Sequence, residues 1–202
     1  GKIIFNSGIS GNSANLGTIN IGNDVNSNLG SVILNGTVSN QNVNLNSGTL
    51  QVGNTSKVFD NVNLTMGGGT LNSINNQIDT INVNDLTLGT NNQSTFMFDV
   101  DLNTKSDIIN VANNFTQNKT LILGPLNIYN NMATTEYKTK FMSDSANAIQ
   151  AELASAAKYV TVNGVTYNLN VKNNELVITI AGQSGGFNYE VINNKIASRT
   201  YN

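Results

Sequence analysis

A three-residue unit, apolar-Asn-apolar, recurs as Val43-Asn44-Leu45, Val62-Asn63-Leu64 and Ile81-Asn82-Val83, each copy 19 residues after the last. In a strand, successive side chains point to opposite faces, so the two apolar members share one face and the Asn points the other way. A hairpin needs only two to five loop residues, whereas about 19 residues between equivalent strands, broken by glycine turns and carrying no helical pattern, is the length of a full coil. The turns Gly48-Thr49-Leu50 and Gly67-Gly68-Gly69-Thr70-Leu71 follow the first two copies, and Leu86-Thr87-Leu88-Gly89 offers a third. The expected fold is therefore all-β, a right-handed parallel β-helix whose coils stack at the inter-strand spacing of roughly 4.8 Å.

Asn makes up about a fifth of the 202 residues, with Ser, Thr and Gly supplying much of the rest. Such polarity resembles disorder, but 39% hydrophobic residues and a net charge of −2 oppose it, because disordered chains combine low hydrophobicity with high net charge. Two explanations of the Asn excess stand side by side: amides stacked at the strand repeat can bond in a ladder, and an AT-rich genome favours Asn codons. Ten scattered Lys and Arg argue against nucleic acid or an anionic membrane as partner. No apolar run approaches a membrane span, and Gly1-Lys2-Ile3 is no signal peptide, so the chain reads as a piece of something longer. The absence of Cys excludes a disulfide framework.

Residues 1–130 are assigned to the coils. Ile19-Asn20-Ile21 matches the unit 24 residues before Val43, and Ile3 to Phe5, Val32 to Leu34 and Val38 are further short strands. Phe96-Met97-Phe98-Asp99-Val100-Asp101-Leu102 alternates strictly, placing Phe96, Phe98, Val100 and Leu102 on one face and both aspartates on the other. Leu102 lies 19 residues beyond Val83, which would continue the register, and the unit returns as Ile109-Asn110-Val111 and Leu126-Asn127-Ile128. Pro125 falls at a bend, where no ladder donor is needed.

Residues 131–202 are assigned to a C-terminal cap, because a stack of parallel coils ends in an open row of N–H and C=O groups that invites aggregation. Ala-rich 144–158 places Ile149, Leu153 and Ala156 at helical spacing and predicts one short α-helix. Hairpins over 159–192 follow from Asn163-Gly164, the strongest short hairpin signal, from Asn173-Asn174, and from a last strand over Phe187 to Ile192.

With no His and no Cys, Ser-His triads, thiol nucleophiles and zinc sites are excluded. Catalytic residues, cofactor ligands and metal ligands are accordingly assigned to none. Asp99, Asp101, Asn103 and Asp107 match positions 1, 3, 5 and 9 of a calcium loop, but Thr104 replaces its glycine and Asn110 its Glu. A strand would hold Asp99 and Asp101 roughly 7 Å apart on a wet face, as a solvated pair. Such a pair is no evidence for glycoside hydrolysis without an aromatic sugar platform. Residues 1–100 hold only Lys2 and Lys57 as bases, too few for a lyase. The sequons at Asn35, Asn54, Asn63, Asn92, Asn114 and Asn118 are as frequent as chance predicts in this composition.

The segment Ser94 to Leu102, followed by Ser106-Asp107-Ile108-Ile109-Asn110-Val111 and Leu121-Ile122-Leu123, resembles the late passenger region of bacterial autotransporters. There an alternating "vDvDL" strand precedes an "sDxIxV" strand, and closing strands resemble Tyr167 to Ile180. The resemblance covers most of residues 40 to 180. It implies a secreted β-helical passenger on the Gram-negative cell surface, anchored in the outer membrane by a translocator barrel downstream and continued by β-helix upstream. The 144–158 helix departs from that pattern, and no protease motif is present. The function it implies is non-enzymatic: a virulence-associated scaffold or adhesin contacting a host-cell receptor, a glycan or a neighbouring bacterial surface protein. The alternatives are a carbohydrate-active β-helix enzyme and a toxin-type passenger.

Overall fold

The computed structural model describes residues 1–23, 30–143 and 149–182. It is a parallel β-solenoid of about five turns closed by an antiparallel sheet. One side is a seven-stranded parallel sheet in the order β1 (Lys2–Phe5), β4 (Ser31–Leu34), β6 (Thr49–Gln51), β8 (Thr70–Asn72), β11 (Thr95–Met97), β15 (Leu121–Leu123) and β18 (Ala151–Leu153). A second side stacks β2 (Ile9–Ser10) and β3 (Gly17–Ile21) beneath β5 (Val38–Leu45), then β7 (Phe59–Met66), β10 (Leu86–Leu88) and β14 (Phe115–Gln117). Shorter parallel pairs complete the later coils, β9 (Thr80–Val83) with β13 (Ile108–Val111) and β12 (Asp99–Asp101) with β16 (Asn127–Tyr129).

Alternation decides what is inside. In β7 the pattern Val62, Leu64, Met66 is buried at every second residue while Asn63 and Thr65 face outward. One interior column runs Val32, Leu50, Leu71, Phe96, Leu123 and Leu153 along the first sheet, residue over residue. Its central members, Leu50, Leu71, Phe96 and Leu123, are all 0% exposed. Each such side chain contributes roughly 1.5 to 3 kcal/mol, and each coil shares this burial with its two neighbours, which is why a lone coil has no core.

The register corrects the spacing read from sequence. Val43 sits over Leu64 and Asn42 over Asn63, a step of 21 residues, so Val43-Asn44-Leu45 is displaced by two from Val62-Asn63-Leu64. A shift of two keeps every side chain on its own face, so the hydrophobic pattern alone cannot distinguish the two registers. The corner does: Asn40 and Asn61 both adopt φ near +57° and stack, Asn61 Nδ2 donating to Asn40 Oδ1 at 2.8 Å. The turn residues agree, Thr49 over Thr70 and Leu50 over Leu71. The earlier step of 24 residues is as expected, with Ile19 over Val43. The later one is longer, Ile81-Asn82-Val83 lying under Ile109-Asn110-Val111 at a step of 28. Val83 therefore lies under Val111, and the 19-residue register does not carry on to Leu102.

Phe96, Phe98, Val100 and Leu102 are all inside, as the alternation requires. The strand bends at Phe98, however, and β11 and β12 belong to different sheets. Pro125 occupies the bend between β15 and β16, after a cis Gly124-Pro125 bond.

The described part of the expected helix is not helical. Ala151–Leu153 is β18, paired in parallel with Leu121–Leu123, and only Ser155–Ala157 forms a single 3-10 turn. Ile149, Ala151 and Leu153 also alternate at two, and the otherwise open edge of β15 takes them as a strand, burying Ile149 and Leu153. Residues 144–148 lie outside the described part. The cap is an antiparallel sheet in the order β17 (Glu136–Lys140), β21 (Glu175–Ile180), β20 (Val165–Lys172), β19 (Tyr159–Val162). Asn163 and Gly164 both take positive φ in the expected tight hairpin. Val165 to Lys172 is one strand, serving both hairpins. The expected last strand, Phe187 to Ile192, lies outside the described residues.

The cap is bonded to the last coils. Tyr137 donates its hydroxyl to the Asp101 carbonyl at 2.8 Å, and Asn174 links the Ile149 N–H to the Ser143 carbonyl. Phe98 and Phe141 meet at a ring-centroid distance of 6.1 Å.

Candidate functional site

The acidic residues singled out by spacing do not converge as a cation site. Asp101 faces outward, its Oδ1 accepting from the Asn103 N–H and from Asn130 Nδ2. Burial is the largest single influence and would raise its carboxyl, but these two bonds and one from Thr104 together outweigh it and hold the carboxyl below the usual value. Asp99, two residues earlier on the same strand, is 0% exposed because the turn at Asn75 and Asn76 covers it, which overturns the expectation of a solvated pair. Its Oδ2 accepts the N–H groups of Asn75 and Asn76 at 2.7 and 3.1 Å, and its Oδ1 accepts Asn127 Nδ2 at 2.6 Å. Asp107, also 0% exposed, accepts the Asp79 N–H on Oδ1 and both Ser73 Oγ and the Asp99 N–H on Oδ2.

Six donors thus address two buried carboxylates, the arrangement by which side chains satisfy backbone N–H groups that leave the sheets at corners. Among the described residues, no group of three or more acidic side chains is placed to hold a metal ion. Burial pushes the Asp107 carboxyl up to about 7, against its three hydrogen bonds and reinforced by the neighbouring Asp99 charge. Burial also raises Asp79, assisted by Asp99 and opposed by a bond from Asn75. Burial, with the charges of these four aspartates, lifts Tyr129 to about 12.

The outward chemistry is neutral. Amides bond from coil to coil in short ladders: Asn35 to Asn6 and Asn54 to Asn35; Asn61 to Asn40 and Asn84 to Asn61; Asn44 to Asn20; Asn63 to Asn42; Asn110 to Asn82. Beside them Asn44, Thr65, Thr87 and Thr116 form one outward column across β5, β7, β10 and β14. Between two ladders lies a groove of about 520 Å³, lined by Asn61, Asn82, Asn84 and Asn110 with Lys57 and Asp60 at one end. Lys57 and Asp60 pair at 3.3 Å while mostly exposed, a contact of little energetic weight. Sequence reasoning named the amides as donors and acceptors but not this groove. Its walls come from residues as far apart in sequence as Lys57 and Ser143, which only the register brings together.

What fold and site define is a class: a parallel β-solenoid with an apolar interior, an amide-lined exterior and an antiparallel cap. No protein-family model matches the chain, and no curated protein matches it significantly in sequence. Among the described residues, no helix is long and apolar enough to cross a membrane.

Proposed function

We propose that this chain is part of a surface-displayed autotransporter passenger that acts as a rigid scaffold and adhesin, non-enzymatically, outside a Gram-negative cell. The observation that carries the reading is the exterior: short ladders of neutral amides bonded from coil to coil, beside an outward column of Asn44, Thr65, Thr87 and Thr116, repeat over successive coils. Such a surface offers many weak, identically spaced hydrogen bonds, the chemistry of multivalent contact. The passenger assignment is supported by the resemblance at Ser94 to Val111 and Leu121 to Leu123, now located on consecutive coils. A carbohydrate-active reading gains nothing from Asp99 and Asp107, whose oxygens are occupied by protein donors.

The test is to display the fragment on beads and on a non-adherent bacterium. Binding to host epithelial cells or clumping of the displaying bacteria is the expected result. Inert beads and dispersed cells would remove the adhesive role, and depolymerisation of a polysaccharide panel by the pure fragment would replace it with an enzymatic one.

A further inference from the structure

We propose that the groove crossing β7, β9 and β13 is a binding site for an uncharged oligosaccharide, an assignment that rests on the adhesive reading and gives it a ligand class. The groove steps from Asn61 to Asn84 on one ladder and from Asn82 to Asn110 on the other, with Ser143 of the next coil at its far end. Its long axis thus follows the stack, where equivalent groups repeat at roughly 4.8 Å, a pitch comparable to the rise of an extended chain of pyranose rings.

The hydrogen-bonding capacity left over points to hydroxyl groups. Asn82 spends its Oδ1 on Asn110, leaving its amide N–H groups to donate, whereas Asn84 and Asn110 spend their Nδ2 and leave their carbonyl oxygens to accept. Donors and acceptors thus stand side by side, and a sugar hydroxyl is both. Because each amide is already held by its ladder partner, little side-chain freedom remains to be lost on binding. An anionic ligand is disfavoured, since among the described residues lining the groove the one cation is Lys57, paired with Asp60. An added peptide strand is disfavoured as well: β9 and β13 are paired with each other, and Asn84 N–H with the Val62 carbonyl, so the groove offers no open backbone edge.

The experiment uses the whole fragment and immobilised tetrasaccharides of mannose, galactose and N-acetylglucosamine, with sialylated and sulfated glycans as separate arms. Binding to at least one neutral chain is expected. Asn82→Ala and Asn110→Ala should each weaken it about five-fold, the value of one neutral hydrogen bond. Ala112→Tyr, at an exposed residue lining the groove, should abolish binding with the circular-dichroism spectrum unchanged, and Asn20→Ala, on a separate ladder, should leave it intact. Binding confined to the charged glycans, or unaffected by Ala112→Tyr, overturns the assignment. Cells that bind the fragment when every neutral chain fails overturn the saccharide site but leave adhesion standing; a saccharide-binding fragment that no cell or sister bacterium captures does the reverse.

Discussion

Asp107→Asn tests whether the buried carboxylates act as structural pins with an energetic cost. The wild-type carboxyl sits at about 7 in the fold against 3.8 unfolded, so the native state binds the extra proton between those values. Protonation is structurally feasible: the Asp107 hydroxyl can donate to Ser73 Oγ, which then turns its own hydrogen to the Met97 carbonyl at 3.4 Å. Among the described residues, the charge that reinforces the upward shift of Asp107 is the carboxylate of Asp99, and Asp79 lies beside both. A raised pKa gives stability that is fully present below the unfolded value and is lost as pH rises through the folded one. The ceiling on that loss is about 4 kcal/mol, so the urea midpoint should fall by roughly 1 M between about pH 5 and about pH 8. In Asp107→Asn the amide cannot ionise, and whichever way it turns its NH₂ meets either the Asp79 N–H or the Asp99 N–H. One buried donor is left unmatched, at a cost of about 1 to 3 kcal/mol. The variant should therefore be less stable near pH 5, with the gap closing toward pH 8, as read by urea titration followed by circular dichroism. A wild type whose midpoint climbs through that window, or a variant that keeps the wild-type slope, would refute the reasoning.

Four further outcomes are expected. Leu71→Ala, at the centre of the interior column and 0% exposed, should cost about 2 to 5 kcal/mol by urea titration, whereas Ile3→Ala, 58% exposed, should be near neutral. Gly48→Ala should destabilise by more than about 1 kcal/mol, since φ is +74° and a Cβ would lie 2.7 Å from the Gly30 carbonyl oxygen. Asn61→Gly keeps the corner conformation and loses only ladder bonds, so it should be milder than Asn61→Ala in thermal melts; equal losses would mean φ +57° is unstrained. Deleting 131–202 should produce sedimenting aggregates, because it uncovers the β15 edge and the buried Leu121 and Leu123.

Period-two alternation made the solenoid and the strands legible, because facing depends only on whether a residue number is odd or even relative to its neighbours. Register was not legible by the same means. The copies at Val43, Val62 and Ile81 invited a constant step, yet alternation is indifferent to a shift of two, and the actual coils step by 24, 21, 22 and 28. The Gly-Thr-Leu turns at Gly48 and Gly69 carried the correct step and were the better guide, since a turn has a fixed length while a strand can slide. The helix reading over 149–158 failed through a related ambiguity. Ile149 and Leu153 satisfy both the helical i, i+4 rule and the strand rule, and the edge of β15 settled the choice. The carboxylate node was hidden because Asp99 and Asp101 look equivalent in a straight strand. The bend at Phe98 and the turn that brings Asn75 and Asn76 beneath Asp99 make one a buried acceptor and leave the other in solvent.

Part of the Asn content serves two structural tasks that few other residues combine. Every non-glycine residue with positive φ among those described is an Asn: Asn40, Asn61, Asn76, Asn130, Asn163 and Asn173. Codon bias alone would scatter Asn without regard to backbone conformation. Gly would serve those corners but would leave no side chain to bond to the next coil, and Ser or Thr would bond but tolerate the left-handed region poorly. Asn40 and Asn61 perform both tasks at once, turning the chain and linking consecutive turns. Corner and ladder thereby fix the same register, which is how a chain with an indifferent hydrophobic pattern still specifies one stacking. Four of the ladder amides, Asn61, Asn82, Asn84 and Asn110, also line the groove, so the chemistry it offers a ligand follows from the chemistry that holds those coils in step.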